Sequence, residues 1–361
     1  MYKTLHKKQG SVTVQLRFAR SSVTFCAPRD KNIFAQAYEY ISLISLGMVA
    51  NVFYNLFSSY LRAVGNSRMP LVFLVLSACL NVVLDLILII NFKMGVAGAA
   101  WATNLSQAIS AVLCAVYIYK KVPALMPEKR HWRFHKGDTR YQLATGIPMA
   151  LQFAITSSGT MVMQSAINLF GSEAVAAYTA AGKIHGLLTQ GMVAMGQTMA
   201  VYSGQNYGKG DAGRIRQGVR AALIIEVIYS VASAVVVSAA LGPSLGLFFS
   251  GEVDLAAMMP WARTYTTICT LFYVPLCTIF IFRNTMQGCG YGFLPMMGGV
   301  VELAARLIVA VIAMDIHSYW LACACDPAAW VGAGLFTGIS YLYIIKKIEK
   351  NLGKGMAVHK S

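Results

Sequence analysis

The sequence predicts an all-α polytopic membrane protein, because it is apolar throughout and divides into long hydrophobic runs. Apolar residues make up 57% of the 361 residues and charged residues only 12%, which is far from the composition of soluble domains. Nine runs reach the roughly 20 residues that a helix needs to cross a hydrocarbon core about 30 Å thick. Backbone groups in that core must be paired within their own segment, so each run is predicted to be a helix. The runs lie near 39–62, 70–92, 96–119, 143–170, 174–203, 218–242, 261–287, 295–314 and 327–345.

An internal repeat relates the last three predicted helices to the first three. Each copy is an apolar run, a short glycine turn and a proline that opens the next run. Six predicted crossings separate the matched segments, so the two halves run parallel, as in transporters built from parallel repeats. The residues that match at a constant offset of 225 positions are Ala37 and Ala262, Tyr40 and Tyr265, Gly65 and Gly290, and Pro70 and Pro295.

The repeat also predicts the size of the complete bundle. Segments seven to nine pair with segments one to three, which leaves segments four to six without partners. A full duplicate has twelve helices in two lobes, of which nine are present here. We therefore expect three further helices upstream of residue 35, and a chain that lacked them is expected to couple poorly or not at all.

The positive charge of the chain, a net +16, is distributed as in a membrane protein rather than a nucleic-acid-binding one. Basic residues gather in alternate loops, above all in 120–142 and in the C-terminal tail, while the intervening loops hold acids such as Glu173, Asp315 and Asp326. The positive-inside rule then places the loop 120–142 and the C-terminus in the cytoplasm. The expected partner is the lipid bilayer, and no nucleic acid is expected.

These patterns divide the chain into five parts. Residues 1–34 are basic and contain no spanning run, and they lack the apolar region of a signal peptide. They are either a basic extracellular tail or the sign of missing upstream helices. The remaining parts are a partial N-terminal lobe of three helices at 35–119, a cytoplasmic inter-lobe loop at 120–142, a C-terminal lobe of six helices at 143–345 and a basic cytoplasmic tail at 346–361.

The sequence contains no catalytic or metal-binding motif. The eight cysteines are scattered, mostly inside apolar segments, and no Cys or His pairs have the spacing of a tetrahedral metal site. His-Glu-x-x-His, paired-carboxylate and nucleophile motifs are missing as well. We expect no cofactor, no catalytic residue and no enzyme activity.

Several short motifs follow one another over about residues 35–350. They are Leu61-Arg-Ala-Val-Gly65, Asn81-Val-Val-Leu-Asp85, Gly95-Val-Ala-Gly-Ala-Ala-Trp-Ala-Thr103, Gly146-Ile-Pro148, Gly171-Ser-Glu-Ala-Val-Ala-Ala177, Gly204-Gln-Asn-Tyr-Gly208 with Arg214, Glu302-Leu-Ala-Ala-Arg306 and Ala329-Trp330. In this order they resemble the multidrug and toxic compound extrusion (MATE) transporters. The resemblance implies a monomeric, multi-pass antiporter of the bacterial inner membrane. Such a protein exports small-molecule organic cations and drugs by alternating access in exchange for H⁺ or Na⁺.

Asp85 is the principal candidate for cation binding. Asn81 lies four residues before it on the same helical face, and Thr103 lies on the next, antiparallel helix. Carboxylate, amide and hydroxyl oxygens suit a proton or Na⁺, the only metal ion we expect. The resemblance implies the same site, since archaeal-type members combine an Asp and an Asn on helix five with a Thr on helix six. The alternative is a structural Asp that is hydrogen-bonded to Asn81 or to the backbone.

Glu302 and Arg306, also four residues apart, form a second intramembrane polar centre, and Arg306 matches Asn81 at the repeat offset. They are either a buried intrahelical ion pair or a charge pair that lines the substrate cavity. Lys183 is expected to line the cavity or to anchor at the interface. Gln152 and Gln164 are candidates for helix–helix hydrogen bonding or substrate contact.

A lipid-linked sugar flippase of the same superfamily is the alternative function. Its cavity needs several basic residues for a pyrophosphate, and only Lys183 and Arg306 are candidates in this sequence. The carboxylates that one branch of the family carries on helices seven and ten have no counterpart, and Thr156 stands near the first of these positions. This difference argues against a C-terminal-lobe cation site of that kind.

Overall fold

A computed structural model of the chain describes residues 31–126, 135–248 and 255–358, which form ten α-helices and no strand. All nine predicted segments are helical, and the seventh is divided into two helices. A π-helical segment, Ile87–Asn91, extends the second helix. The helices are α1 Lys31–Ala63, α2 Arg68–Leu86, α3 Gly95–Lys121, α4 Lys136–Ile167, α5 Gly171–Gly208, α6 Ala212–Phe248, α7 Leu255–Leu271, α8 Tyr273–Gly288, α9 Phe293–Asp315 and α10 Tyr319–Val358.

The chain divides into two compact units between Arg133 and Phe134. Unit 1 contains α1–α3, in which α3 packs against both α1 and α2. Unit 2 contains α4–α10, in which α9 packs against α4 and α10, and α5 packs against α6, α7 and α8. The largest buried cluster of unit 2 contains many Ala and Cys side chains, which let helices approach closely.

Several helices extend beyond the predicted spans. α1 begins at Lys31, inside the segment predicted not to span, and residues 1–30 of that segment lie outside the described residues. The helices α3 and α4 shorten the predicted loop 120–142, of which residues 127–134 are not described, and α10 continues to Val358 through most of the predicted tail. Hydropathy marks the apolar middle of a helix, whereas Lys at a C-terminal end, such as Lys121, is stabilised by the helix dipole.

Composition alone identifies six of the described helices as long and apolar enough to cross a membrane. These are α1, α2 with its π segment, α3, α6, α9 and α10, and the pair α7 and α8 adds a seventh if it is a single bent span. The helices α4 and α5 are longer than most, with 32 and 38 residues. They fall short of the same test because polar residues such as Gln152, Thr156, Lys183 and His185 interrupt their apolar sequence.

The predicted seventh segment, 261–287, is not a continuous helix. It breaks at Phe272, and the axes of α7 and α8 meet at a bend of 51°. Pro275 explains the break, because it has no N–H to donate to the Leu271 carbonyl four residues earlier and its ring clashes with that carbonyl. The sequence prediction treated this proline as an ordinary residue of an apolar run.

The first turn of the repeat has the same geometry in both units. Gly65 and Gly290 both have a φ of 85°. In unit 1 the amide of Gly65 donates to the Arg62 carbonyl at 3.0 Å, and in unit 2 the amide of Gly290 donates to the Gln287 carbonyl at 2.9 Å. These donors and acceptors are related by the 225-residue offset, so the internal repeat predicted from the sequence is confirmed.

The second turn of the repeat is also shared, but its offset is 224. Lys93, between α2 and α3, has a φ of 51°, and His317, between α9 and α10, has a φ of 54°. The Met94 amide closes the first turn on the Leu88 carbonyl at 3.0 Å, whereas the Ser318 amide closes the second on the Ala313 carbonyl at 3.0 Å. The extra residue of the first copy is accommodated by the π segment Ile87–Asn91, which has one more residue in each hydrogen-bonded ring.

We predict that Gly290→Ala destabilises the protein more than the matched variant Gly65→Ala. At both positions a Cβ must adopt a left-handed backbone, which costs about 1–2 kcal/mol. At Gly290 the Cβ would also collide with the Tyr141 hydroxyl, whereas at Gly65 nothing lies within 4 Å. The apparent melting temperatures of the two variants in detergent test this expectation, and equal decreases would contradict it.

Candidate functional site

Four charged side chains form a buried cluster in unit 2. Arg306 Nε lies 2.7 Å from Asp326 Oδ1, and its Nη1 lies 3.9 Å from Glu302 Oε2. Arg283 Nη1 lies 3.8 Å from Glu302 Oε1. The four side chains are between 5% and 13% exposed. Two arginines and two carboxylates therefore alternate in a charge cluster with no net charge.

The helix α4 completes the wall of this cluster. Thr156 Oγ1 donates a hydrogen bond to Glu302 Oε2 at 3.2 Å. Gly159, one turn further along, leaves the room that Arg306 needs, since a Cβ at this position would lie 2.7 Å from Arg306 Nη1. Burying a charge is costly unless it is paired, and the four helices α4, α8, α9 and α10 together supply the partners in this cluster.

The position of Asp326 corrects the sequence analysis. Asp326 was predicted to lie in an outer loop, but it is inside α10, and Arg306 holds it there. The proline at 327 was taken as the first residue of the last helix, whereas that helix begins at Tyr319. Arg283 was missed altogether. A charge count was the available signal, because two arginines within apolar segments require two acids and only Glu302 had been found.

The Glu302–Arg306 pair is consequently part of a larger network rather than an isolated intrahelical pair. Its separation of 3.9 Å is too long for a hydrogen bond, while the contact of Arg306 with Asp326 on α10 is a charge-assisted one. The closer contact of Arg306 is therefore the one with Asp326, which connects α9 to α10, and its contact with Glu302 is the longer one.

The other predicted polar residues of unit 2 lie apart from this cluster or at its edge. Gln152 is buried and accepts a hydrogen bond from Gln287 Nε2 at 2.7 Å. Gln164 donates to Asn168 Oδ1 at 2.9 Å, a contact within the end of α4. Lys183 is exposed on α5.

In unit 1 the structure brings Asn81 and Thr103 together. Asn81 Nδ2 lies 3.5 Å from Thr103 Oγ1, and this hydroxyl donates to the Ala99 carbonyl at 3.0 Å. Asp85, one turn beyond Asn81, has a buried Oδ1 that accepts no hydrogen bond. A buried carboxylate oxygen without a donor is costly, and this cost distinguishes Asp85 from the paired acids of unit 2.

Asn81 and Arg306 occupy equivalent positions in the repeat, and each contacts the third helix of its own copy. The Asn81–Thr103 contact joins the second and third helices of the first copy, as Arg306–Asp326 joins those of the second. At the 225-residue offset, Ser58, Ser77 and Asn81 correspond to Arg283, Glu302 and Arg306. Both serines are buried, with exposures of 2% and 3%. Unit 1 is therefore neutral at the positions where unit 2 is charged.

Unit 1 also contains an apolar groove between α1 and α3. Its volume is about 500 Å³, which is within the usual range of small-molecule sites. Three aromatic rings, Phe53, Phe57 and Trp101, line it together with the amide of Asn104. Aromatic faces of this kind attract organic cations.

The charge cluster predicts an order among neutral double variants. Arg306→Met with Asp326→Leu removes one complete ion pair and leaves Arg283 paired with Glu302, so most stability should remain. Glu302→Gln with Arg306→Met also removes one positive and one negative charge. It leaves Arg283 and Asp326 unpaired, however, at a cost of about 3–5 kcal/mol for each broken pair. Thermal unfolding and membrane expression level measure the difference, and the reverse order would contradict this pairing.

Comparison with known proteins gives a consistent family. A family model described as MatE matches residues 18–87 and 148–312. The probable multidrug resistance protein YpnP of Bacillus subtilis is 33% identical over 181 residues, which are 50% of this chain and 40% of YpnP. The probable multidrug resistance protein NorM of Thermotoga maritima is 25% identical over 315 residues, which are 84% of this chain and 64% of NorM. This chain thus spans less than two thirds of the length of both relatives.

Solved structures show the same fold. The crystal structure of a variant of the Vibrio cholerae MATE transporter VcmN matches with a TM-score of 0.83 and 17% identity, over 93% of this chain and 75% of that one. A MATE transporter in complex with MaL6 matches with a TM-score of 0.82 and 20% identity, over 94% of this chain and 76% of that one. Since the family model matches more than half of the residues, the chain belongs to the MatE family, that is, to the multidrug and toxic compound extrusion transporters, which are not enzymes.

Proposed function

We propose that the chain is part of an antiporter that exports organic cations across the bacterial inner membrane by alternating access, in exchange for H⁺ or Na⁺. The observation that carries the proposal is the buried Oδ1 of Asp85, which has no hydrogen-bond donor. The protein acts as a monomer, with its C-terminus in the cytoplasm.

The coupling cation binds at Asp85, Asn81 and Thr103. The Asp85 carboxylate supplies the charge that a cation needs, and the Asn81 amide and Thr103 hydroxyl, 3.5 Å apart, supply neutral oxygens on the neighbouring turn and helix. Oxygen ligands of this type are hard donors, which suit Na⁺ as well as a proton. A bound ion would neutralise a carboxylate that forms no ion pair within the described residues.

The substrate is proposed to be an organic cation of drug size. The groove of unit 1 supports this class, since its volume, its three aromatic rings and its single amide fit a flat hydrophobic cation. Both YpnP and NorM are named as probable multidrug resistance proteins, which agrees with this class.

The polar residues of unit 2 are proposed to form the second part of the pathway. Glu302 and Arg306 exchange partners within the charge cluster, and Gln152, Gln164 and Lys183 provide polar contacts along α4 and α5. The flippase alternative gains no support from this cluster. Its two arginines are already neutralised by Glu302 and Asp326, so they offer no excess positive charge to a pyrophosphate.

The proposed orientation predicts which cysteines can be labelled from outside the cell. In a background without the native cysteines, Asp315→Cys should react with a membrane-impermeant maleimide, because the turn after α9 faces out. Lys136→Cys at the start of α4 should react only after the cells are permeabilised. Both positions are exposed, so accessibility of the side chain does not favour either one. Labelling of Lys136→Cys alone in intact cells would reverse the orientation.

The cation site predicts a specific loss in Asp85→Asn. Binding of a cation to the folded protein should stabilise it and raise its melting temperature. At a cation concentration 100 times the dissociation constant, the added free energy of unfolding is about 2.7 kcal/mol. Replacing choline with Na⁺ at constant ionic strength tests Na⁺, and lowering the pH tests the proton. The stabilisation should vanish in Asp85→Asn and persist in Asp138→Asn, whose carboxylate is exposed at the start of α4.

Export is tested in cells that express the full-length protein. They should accumulate less ethidium than cells that express equal amounts of Asp85→Asn, whereas Asp138→Asn should behave as the unchanged protein. Equal accumulation in all three strains would contradict the proposed function.

A further inference from the structure

A third buried acid, Glu226, lies in unit 2 away from the charge cluster. It is 14 residues from the start of α6, so about 21 Å of helix separate it from that end. Its exposure is 2%, and its Oε2 accepts no hydrogen bond. The residue lies in the stripe of α6 that is buried against neighbouring helices, between Val219 and Ala222 on one side and Ser230 and Val237 on the other.

The immediate surroundings of Glu226 are weakly polar. Ser230 lies one turn further along the same face, is 1% exposed, and has its hydroxyl beside the Cys277 thiol. The Cys277 thiol of α8 lies close to both side chains and donates to the Val274 carbonyl at 3.1 Å. Glu226 Oε2 is therefore a buried oxygen without a donor, and Ser230, four residues further on, places a hydroxyl on the same face of the helix.

No charged side chain compensates a Glu226 carboxylate within the described residues. The basic side chains of the helices packed against α6 are occupied or distant. On α5, Lys183 is eight residues, about 12 Å of helix, from Gly191, the residue that packs against the neighbouring Tyr229. Arg283 of α8 pairs with Glu302, Asp326 of α10 pairs with Arg306, and Arg216 of α6 pairs with Glu349 of α10. His185 of α5 is hydrogen-bonded to the Tyr273 hydroxyl. The exposed charged residues of these helices are Glu173, Arg214, Arg220, Arg263, Lys346, Lys347 and Lys350.

We propose that Glu226, with Ser230, is a proton-binding site at the contact of α6 with α5 and α8. Its carboxyl group is neutral while this contact is closed, and it gives up its proton only when the contact opens to water. A proton fits this site better than Na⁺, because a single carboxyl and one hydroxyl provide few oxygens and the third neighbour is a soft thiol. The site is independent of the cation site proposed at Asp85 in unit 1.

Infrared spectroscopy of the full chain in lipid nanodiscs tests the protonation directly. A neutral carboxylic acid has a C=O stretching band, separate from that of a carboxylate, which moves on transfer from H₂O to D₂O. At neutral pH this band should be present in the unchanged protein and reduced in Glu226→Gln. It should be fully retained in Glu349→Gln, since the Glu349 carboxylate is partly exposed and lies 2.8 Å from Arg216 Nε.

Two further variants keep the test decisive. Ser230→Ala should shift the band without removing it, because the acid loses a neighbouring hydroxyl but keeps its proton. If Glu226→Gln does not fold, Glu226→Asp should move the band by placing the acid in a new position. Identical spectra for Glu226→Gln and the unchanged protein, or a carboxylate band that responds to exchange of Na⁺ for choline and is lost in Glu226→Gln, would overturn the proposal.

Discussion

The contact between Arg306 and Asp326 is the interaction around which unit 2 is organised. A guanidinium in the apolar part of a membrane helix needs an acid beside it, and at 2.7 Å the Asp326 carboxylate meets this need from the adjacent helix. The surrounding features follow from the same requirement. Gly159 lacks a side chain where the guanidinium lies, Thr156 donates to Glu302, and Arg283 is paired with the second oxygen of Glu302.

In the first copy of the repeat, uncharged side chains make the contact between the second and third helices. Asn81 contacts Thr103 from the position at which Arg306 contacts Asp326 in the second copy, and the serines Ser58 and Ser77 stand where Arg283 and Glu302 are charged. The nearby Asp85 has no arginine to neutralise it, since position 81 carries an amide. The two copies therefore use this region of the repeat differently. Unit 2 stabilises helix packing with internal ion pairs, and unit 1, as proposed, leaves a carboxylate free for an external cation.

The sequence was sufficient for features that depend on local chemistry. The helices follow from apolar runs, and the first turn of the repeat follows from Gly65 and Gly290, because only glycine adopts their backbone without strain. The pair Asn81 and Thr103 was also predicted correctly, since a short turn brings the two helices together. Spacing alone could not show that Oδ1 of Asp85 has no donor.

Features that depend on tertiary partners were missed. Asp326 was assigned to a loop because the last apolar run was predicted to begin at residue 327, and only the position of Arg306 explains its burial. Arg283 and Glu226 each sit in an apolar run, and nothing in the run indicates which face is covered. The bend at Phe272 depends on one proline whose effect is decided by the helix around it.

The π segment of α2 has a consequence for how a duplicated membrane protein changes over evolution. An extra residue in a turn at the membrane surface would alter the connection between two helices. Here the extra residue lies within the helix, in the π-helical segment Ile87–Asn91. The turn beyond it retains its left-handed residue and its closing hydrogen bond. In an uninterrupted α-helix an extra residue would rotate every later side chain by about 100°, whereas the wider ring accommodates the extra residue. Two ancient copies can thus differ in length while their connections stay superimposable, and a search for repeats with one fixed offset loses the match halfway along a helix.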